Sequence, residues 1–254
     1  MSNPFDLSGR VAVVIGGNTG IGFGMAEGLA RAGAQVVIGG RNADNNENAV
    51  ATIQRQGGNA LAIECDVFEE DSVRAFMAEA VSRCGRMDAC FANAGGGKSP
   101  PPFVDMTLDD WKHSIQWNLD SVFLCYREAV RHMINLGNGG SIAGTASIAA
   151  MQSSPSAHYA AAKAGMIAMA NSMAPQLGKH GIRVNTIVPG FVETRATAAV
   201  ATNEKYQAGL LRRIPMQRIG QPSDFAGIAI YLASTLSTWH TADTFVIDGG
   251  QTKT

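Results

Sequence analysis

Seven short apolar runs, separated by longer stretches with a helical repeat, recur along this chain of 254 residues. They lie at 11–15 (VAVVI), 35–38 (QVVI), 60–65 (ALAIEC), 87–92 (MDACFA), 140–146 (GSIAGTA), 183–188 (RVNTIV) and 245–247 (FVI). Each is too short for a helix and shows little polar alternation, which is the pattern of strands buried on both faces. Helical patterns fill the gaps: from the first strand's glycine-rich turn through Gly33, then about 43–57, 69–84, 107–136, 157–180, 193–212 and 222–234. This alternation predicts an α/β fold, a single-domain Rossmann-type doubly wound parallel sheet of about seven strands with helices on both faces. One domain spanning 1–254 suits the length, and no linker, repeat or low-complexity tract divides it. The stretch 191–215 is the one long excursion between strands, so it is expected to form a lid over a substrate site.

Composition excludes several classes of function. A formal net charge of −1 leaves no basic balance for nucleic acid or an anionic membrane. The four cysteines (Cys65, Cys84, Cys90 and Cys125) form no C-x-x-C and no paired ligand spacing. Reduced thiols, no metal and a cytoplasmic location are therefore expected. Residues 1–9 lack a signal-peptide pattern, and no apolar run reaches membrane-spanning length.

Chemistry enters at the strand ends. The first strand runs into Gly16-Gly17-Asn18-Thr19-Gly20-Ile21-Gly22. Glycines at 16, 20 and 22 permit a tight turn and close backbone approach, and the following helix aims its N-terminus at a pyrophosphate. Asn18, Thr19 and Ile21 belong to the same cradle. The second strand ends in Gly39-Gly40-Arg41-Asn42, with no acid where an NAD enzyme usually places one to hold the ribose. The Arg41 guanidinium suits a 2′-phosphate that a carboxylate would repel, so NADP(H) is favoured and NAD(H) remains possible. Asp66-Val67 and Asn93-Ala94-Gly95 follow the third and fourth strands, at the carboxyl ends where open α/β sheets bind ligands.

Tyr159 and Lys163 are separated by three alanines, which puts both on one helix face about a turn apart. A free phenol has a pKa of about 10 and is a poor acid or base near neutrality. An ammonium about 4 Å away, at an effective dielectric near 20, attracts the phenolate by about 4 kcal/mol and lowers that pKa by up to roughly three units. Such a tyrosine can exchange a proton with a carbonyl oxygen at working pH. The spacing alone is common in helices; its weight comes from the motifs around it.

Taken together, these motifs resemble the short-chain dehydrogenase/reductase family over nearly the whole chain. Gly16-x-x-x-Gly20-x-Gly22 matches the family's cofactor motif, with Ile15 where relatives usually carry Thr. Asp66 matches the adenine contact, and Asn93-Ala94-Gly95 the motif along the cofactor. Asn118 matches the helix asparagine of the catalytic tetrad, Ser147 its serine, and Tyr159 and Lys163 its active-site pair. Pro189-Gly190, with Val192 and Thr194, matches the segment at the nicotinamide end. Around Ser147 the chain reads Ala143-Gly144-Thr145-Ala146, where relatives often have Asn-Ile-Ser before the serine. The resemblance implies that Tyr159 donates or accepts the proton and Ser147 fixes the carbonyl oxygen. Lys163 holds the nicotinamide ribose and depresses the Tyr159 pKa, and Asn118 holds a relay water. It also implies a homotetramer or homodimer. The substrate is a small carbonyl or alcohol compound whose class stays open among oxoacyl thioesters, sugars, steroids and ketones. Gly96, Met151, Gln152 and Phe191 are candidate pocket residues, while Arg195, Arg212 and Arg213 either meet an acidic group or face solvent. Two alternatives are a non-catalytic dinucleotide-binding regulator, which would normally show a broken tetrad, and an enoyl reductase of the same superfamily, which spaces its tyrosine and lysine further apart.

Overall fold

A computed structural model describes residues 3–97, 100–195, 197–198 and 204–254, without the side chains of 204–206. The apolar runs become β1 (Val11–Ile15), β2 (Gln35–Gly40), β3 (Asn59–Glu64), β4 (Ala89–Ala92), β5 (Gly140–Thr145), β6 (Ile182–Pro189) and β7 (Thr244–Ile247). They form one sheet in the order β3-β2-β1-β4-β5-β6-β7, and every pairing is parallel. Every residue of β1 and β4 is buried, as their unbroken apolar character requires.

The helices are α1 (Gly20–Arg31), α2 (Ala43–Arg55), α3 (Glu70–Cys84), α4 (Leu108–Ile115), α5 (Ser121–Leu136), α6 (Ala157–Leu177), α7 (Glu204–Leu211) and α8 (Ala226–Ala233). One core layer packs Met25 and Leu29 of α1, Ile53 of α2 and Leu232 of α8 against one sheet face. The other packs Phe76 of α3, Tyr126 and Met133 of α5 and Met166 of α6 against the opposite face. Truncating Leu29 or Phe76, both about fully buried, should cost roughly 2–5 kcal/mol through lost contact and the cavity left behind. No helix among the described residues is long and apolar enough to cross a membrane.

The span 107–136 is helical from Leu108 to Leu136, as expected, but α4 and α5 meet in a π-type turn over Gln116–Asp120, centred on the buried Asn118. Asn118 Nδ2 bonds the Ser114 carbonyl at 3.0 Å and Ser121 Oγ bonds the Trp117 carbonyl at 2.6 Å, so side chains take up backbone groups there. Of the helix expected over 193–212, the part among the described residues is α7. Residues 196 and 199–203 of that excursion lie outside the described residues.

Strand order reverses between β1 and β4, because β1 pairs with β2 on one side and β4 on the other. A crevice opens at such a switch point, above the carboxyl ends of the strands.

Candidate active site

A cleft of about 440 Å³ occupies that switch point. Of the residues expected to hold the cofactor or act on substrate, Gly16, Asn18, Thr19, Gly20, Ile21, Asn93, Ala94, Gly95, Ser147, Tyr159, Lys163, Pro189, Gly190, Val192 and Thr194 line it. Gly22 and Asn118 stand just behind the wall, while Arg41, Asn42, Asp66 and Val67 follow the ends of β2 and β3.

The glycine turn is shaped by close packing. Gly16 has φ +74°, a left-handed conformation that costs glycine little. A Cβ there would lie 2.8 Å from the Ala94 amide nitrogen. At Gly22 a Cβ would overlap the Gly16 carbonyl oxygen and come within 2.6 Å of Asn93 Nδ2. The turn and the Asn93-Ala94-Gly95 segment are therefore one packed unit. Asn93 Nδ2 reaches the Gly16 carbonyl at 3.4 Å, and its buried Oδ1 has no partner among the described residues. A crowded loop at the start of α1, with an unpartnered buried acceptor beside it, fits a dinucleotide laid across the strand ends.

Sequence reasoning missed Asn46. This buried residue donates from Nδ2 to the Gly40 carbonyl at 2.8 Å and accepts from Asn18 Nδ2 at 2.7 Å. It ties the glycine turn to the end of β2. Its only signal in the sequence was a polar residue on an apolar helix face.

At the β2 end, Arg41 lies 3.8 Å from Asp66 Oδ2, and its guanidinium packs over the Phe68 ring at 5.3 Å. Phe68 in turn stacks on His113, with ring centres 5.6 Å apart and planes 18° apart. Asp66 Oδ1 accepts from the Phe68 amide at 3.0 Å, so the same carboxylate shapes the turn and faces the arginine. Asn42 caps α2, its side chain accepting from the Asn45 amide at 2.8 Å.

Three members of the expected tetrad, Ser147, Tyr159 and Lys163, line the cleft. Ser147 caps a short turn after β5, and Oγ accepts from the Ala149 amide at 3.2 Å, which leaves its hydroxyl proton to donate. Burial raises the Tyr159 phenol above its ordinary pKa, and the neighbouring Ser147 hydroxyl offsets only part of that rise. Lys163 is 3% exposed, and Nζ donates to the Thr145 carbonyl at 2.8 Å. Burial pushes its pKa down to about 7. Nζ lies 5.5 Å from the centre of the Tyr159 ring. The expected lysine-driven depression of the tyrosine is thus absent. The reason is desolvation: the low-dielectric site disfavours phenolate and ammonium alike. Asn118 accepts from the Gly96 amide at 2.9 Å and donates to its carbonyl at 2.8 Å. Both amide protons are committed to backbone, leaving one lone pair of Oδ1 for a relay water. A Cβ on Gly95 would meet that Oδ1 at 2.9 Å and Lys163 Nζ at 3.2 Å, so the two groups flank one glycine.

A second cleft of about 670 Å³ adjoins the first, sharing Ser147, Ile148, Phe191 and Gln251. Gln152 and Arg213 from the sequence expectations line it. Met151 lies outside it and is about half exposed. Arg195 lines the nucleotide cleft instead. Among the described residues no group of three His, Cys, Asp or Glu is placed to hold a metal.

Comparison with known proteins agrees with this geometry. A family model described as "Enoyl-(Acyl carrier protein) reductase" matches residues 15–252. The 3-oxoacyl-[acyl-carrier-protein] reductase FabG of Chlamydia pneumoniae is 35% identical over 246 residues, covering 97% of this chain and 98% of the relative. A gluconate 5-dehydrogenase from Burkholderia cenocepacia J2315, solved with NADP and tartrate, superposes with TM-score 0.92 at 34% identity, covering 99% of this chain and 98% of that one. A 7α-hydroxysteroid dehydrogenase complexed with NADH and 7-oxo glycochenodeoxycholic acid superposes with TM-score 0.92 at 35% identity, covering 98% of each. The chain belongs to the short-chain dehydrogenase/reductase family and is an NAD(P)-dependent oxidoreductase acting on carbonyl and alcohol groups.

Proposed function

We propose that this protein transfers a hydride between NADP(H) and a carbonyl or secondary alcohol held in the cleft beyond Ser147, with Tyr159 passing the proton. The observation that carries the reading is the meeting of two clefts at Ser147, with Tyr159 and Lys163 on the wall of the nucleotide side. The bound cofactor supplies the hydride chemistry; the protein binds, orients and moves the proton. Ser147 donates its free O–H to the substrate oxygen and holds it where negative charge grows, a preorganised donor of the oxyanion-hole type. Tyr159 Oη transfers its proton to that same oxygen as charge develops. Lys163, anchored on the Thr145 carbonyl, is assigned to hold the nicotinamide ribose. With a pKa of about 7 it both gains and loses a proton at neutral pH. Asn118 Oδ1, with one lone pair unused, holds the water that passes protons onward.

The same reading assigns Gly16, Asn18, Thr19, Gly20, Ile21, Gly22, Asn93, Ala94 and Gly95 to the pyrophosphate and ring, and Pro189, Gly190, Val192 and Thr194 to the nicotinamide end. Asp66 and Val67 flank the adenine, and Asn42 lies beside the ribose. Arg41 supports a preference for NADP(H): it is about half exposed, held against Phe68 with only a loose 3.8 Å pairing to Asp66, and has donors left to meet a phosphate dianion. The three-residue spacing within α6 favours carbonyl over enoyl chemistry. Exposed Phe103, Val104, Leu108, Trp111 and Phe123, around α4 and α5, together with the fully exposed Trp239, support self-association into a homodimer or homotetramer. Four free thiols, three of them buried, suit the cytoplasm.

The test is a spectrophotometric screen of ketones, oxo acids, sugars and oxoacyl thioesters with NADPH and NADH. Oxidation of NADPH dependent on a carbonyl substrate is expected. Absence of turnover across the screen, in protein that binds NADPH, would favour the regulatory reading.

A further inference from the structure

We propose that the second cleft selects substrates bearing a carboxylate, and that Arg213 is the residue that reads it. The proposal names a substrate class for the hydride-transfer site and rests on that reading.

The cleft is lined by both Ser147 and Arg213. Its apolar lining includes Ile148, Pro155, Phe191 and Leu210, and its polar lining Gln152, Ser153, Gln251 and Arg213. A recess of about 400 Å³ continues from there and adds Arg212 and Thr254 to Gln152, Ser153, Arg213 and Gln251. Among the described side chains that line the two spaces, the charged ones are both arginines; no Asp or Glu faces them.

Arg213 differs from the arginines used structurally elsewhere in the chain. Arg218 is clamped on Asp224 at 2.7 Å, Arg86 on Asp88 at 2.6 Å and Arg127 on Glu70 at 2.7 Å. Arg213 makes no ion pair within the described residues, although its main chain is fixed. Its amide donates to the Leu210 carbonyl at 2.9 Å, and its carbonyl accepts from Thr254 Oγ1 at 3.1 Å. A fixed main chain thus carries an exposed side chain, without an ion pair among the described residues, at the cleft.

The polar groups around it offer donors. Gln251 Oε1 accepts from the Phe191 amide at 3.3 Å, so the remaining capacity of that side chain is chiefly its two N–H groups. Ser147 Oγ is occupied as an acceptor and keeps its proton to give. A cleft lined by hydrogen-bond donors and a fork of permanent positive charge matches an oxo or hydroxy acid. The reacting carbonyl sits at Ser147 and the carboxylate at Arg213. A neutral ketone of the same shape leaves the guanidinium in water and gains nothing from it.

The test compares matched pairs, 4-oxopentanoate with its methyl ester and 5-oxohexanoate with its methyl ester, by kcat/KM with NADPH. The acids are expected to exceed their esters by about 10- to 100-fold, mostly in KM, as for a hydrogen-bonded charge pair. Arg213→Gln is expected to bring that ratio within about threefold of one, and Arg213→Lys to keep part of it, because a point charge replaces a fork. As a binding readout, pentanoate should compete with the oxo acid in the wild type, while pentanamide should not. Esters turned over as well as acids, or a ratio that Arg213→Gln leaves intact, would overturn the proposal while leaving hydride transfer standing. No turnover of any carbonyl by protein that binds NADPH would overturn both.

Discussion

Replacing Lys163 with methionine should stabilise the cofactor-free protein near neutral pH while removing its activity. The ammonium sits at 3% exposure with one strong acceptor, the Thr145 carbonyl at 2.8 Å, and the Met166 sulfur at 3.6 Å. Burial lowers its pKa from 10.5 to about 7. Between those two values the unfolded chain binds more protons than the folded one, so this group makes stability rise with pH across that window. The lysine's burial costs about 4 kcal/mol at pH 7 and about 1 kcal/mol at pH 10. Lys163→Met removes this cost and leaves the Thr145 carbonyl unpaired, a penalty of about 1–3 kcal/mol. The variant should therefore be more stable than the wild type by about 1–3 kcal/mol at pH 7, and equal or less stable by up to about 2 kcal/mol at pH 10. Burial pushes the Cys65 and Cys90 thiols up to about 12, which opposes stability in alkali, but it does so equally in both proteins and cancels in the difference. Urea unfolding followed by tryptophan fluorescence, at one protein concentration and without cofactor, gives this difference directly. A difference of constant size and sign from pH 6 to pH 10 would refute the reasoning, because it would mean that the buried amine does not titrate in that range.

Three further outcomes follow from the geometry. Gly22→Ala puts a methyl group onto the Gly16 carbonyl, so the turn must shift; a loss of about 1–3 kcal/mol in unfolding free energy and at least about tenfold weaker NADPH binding are expected, the second read by calorimetry. Ser147→Ala should lower kcat by about 100- to 1000-fold with NADPH affinity kept, and a change in affinity alone would remove the serine from the chemistry. Arg41→Ala should weaken NADPH about 10- to 100-fold and NADH less than about twofold, and equal losses for both would mean the guanidinium does not meet the phosphate.

What could be read from the sequence followed from periodicity and burial. Unbroken apolar character at 11–15 defines β1 to the residue, because a strand covered on both faces has no polar position to blur its ends. The glycine turn was legible for a similar reason: close backbone approach admits few residue types. The π-type turn at Gln116–Asp120 was not, since it is set by bonds from Asn118 and Ser121 side chains to the preceding backbone, which a 3.6-residue repeat does not encode. Spacing placed Tyr159 and Lys163 on one face, but it could not show the depth of the site. That depth reverses the expected electrostatics, raising the phenol pKa and lowering the amine pKa. Asn46 escaped notice because its partners, Asn18 and Gly40, are far from it in pattern and meet it only in the fold.

The central claim is that the Tyr159 phenol is the proton source at the substrate oxygen. Tyr159→Phe keeps the ring and deletes the hydroxyl. Measured on one preparation, its NADPH dissociation constant should stay within about twofold of wild type, while kcat for ketone reduction falls by about 100- to 10,000-fold. Undiminished turnover in that variant would contradict the account.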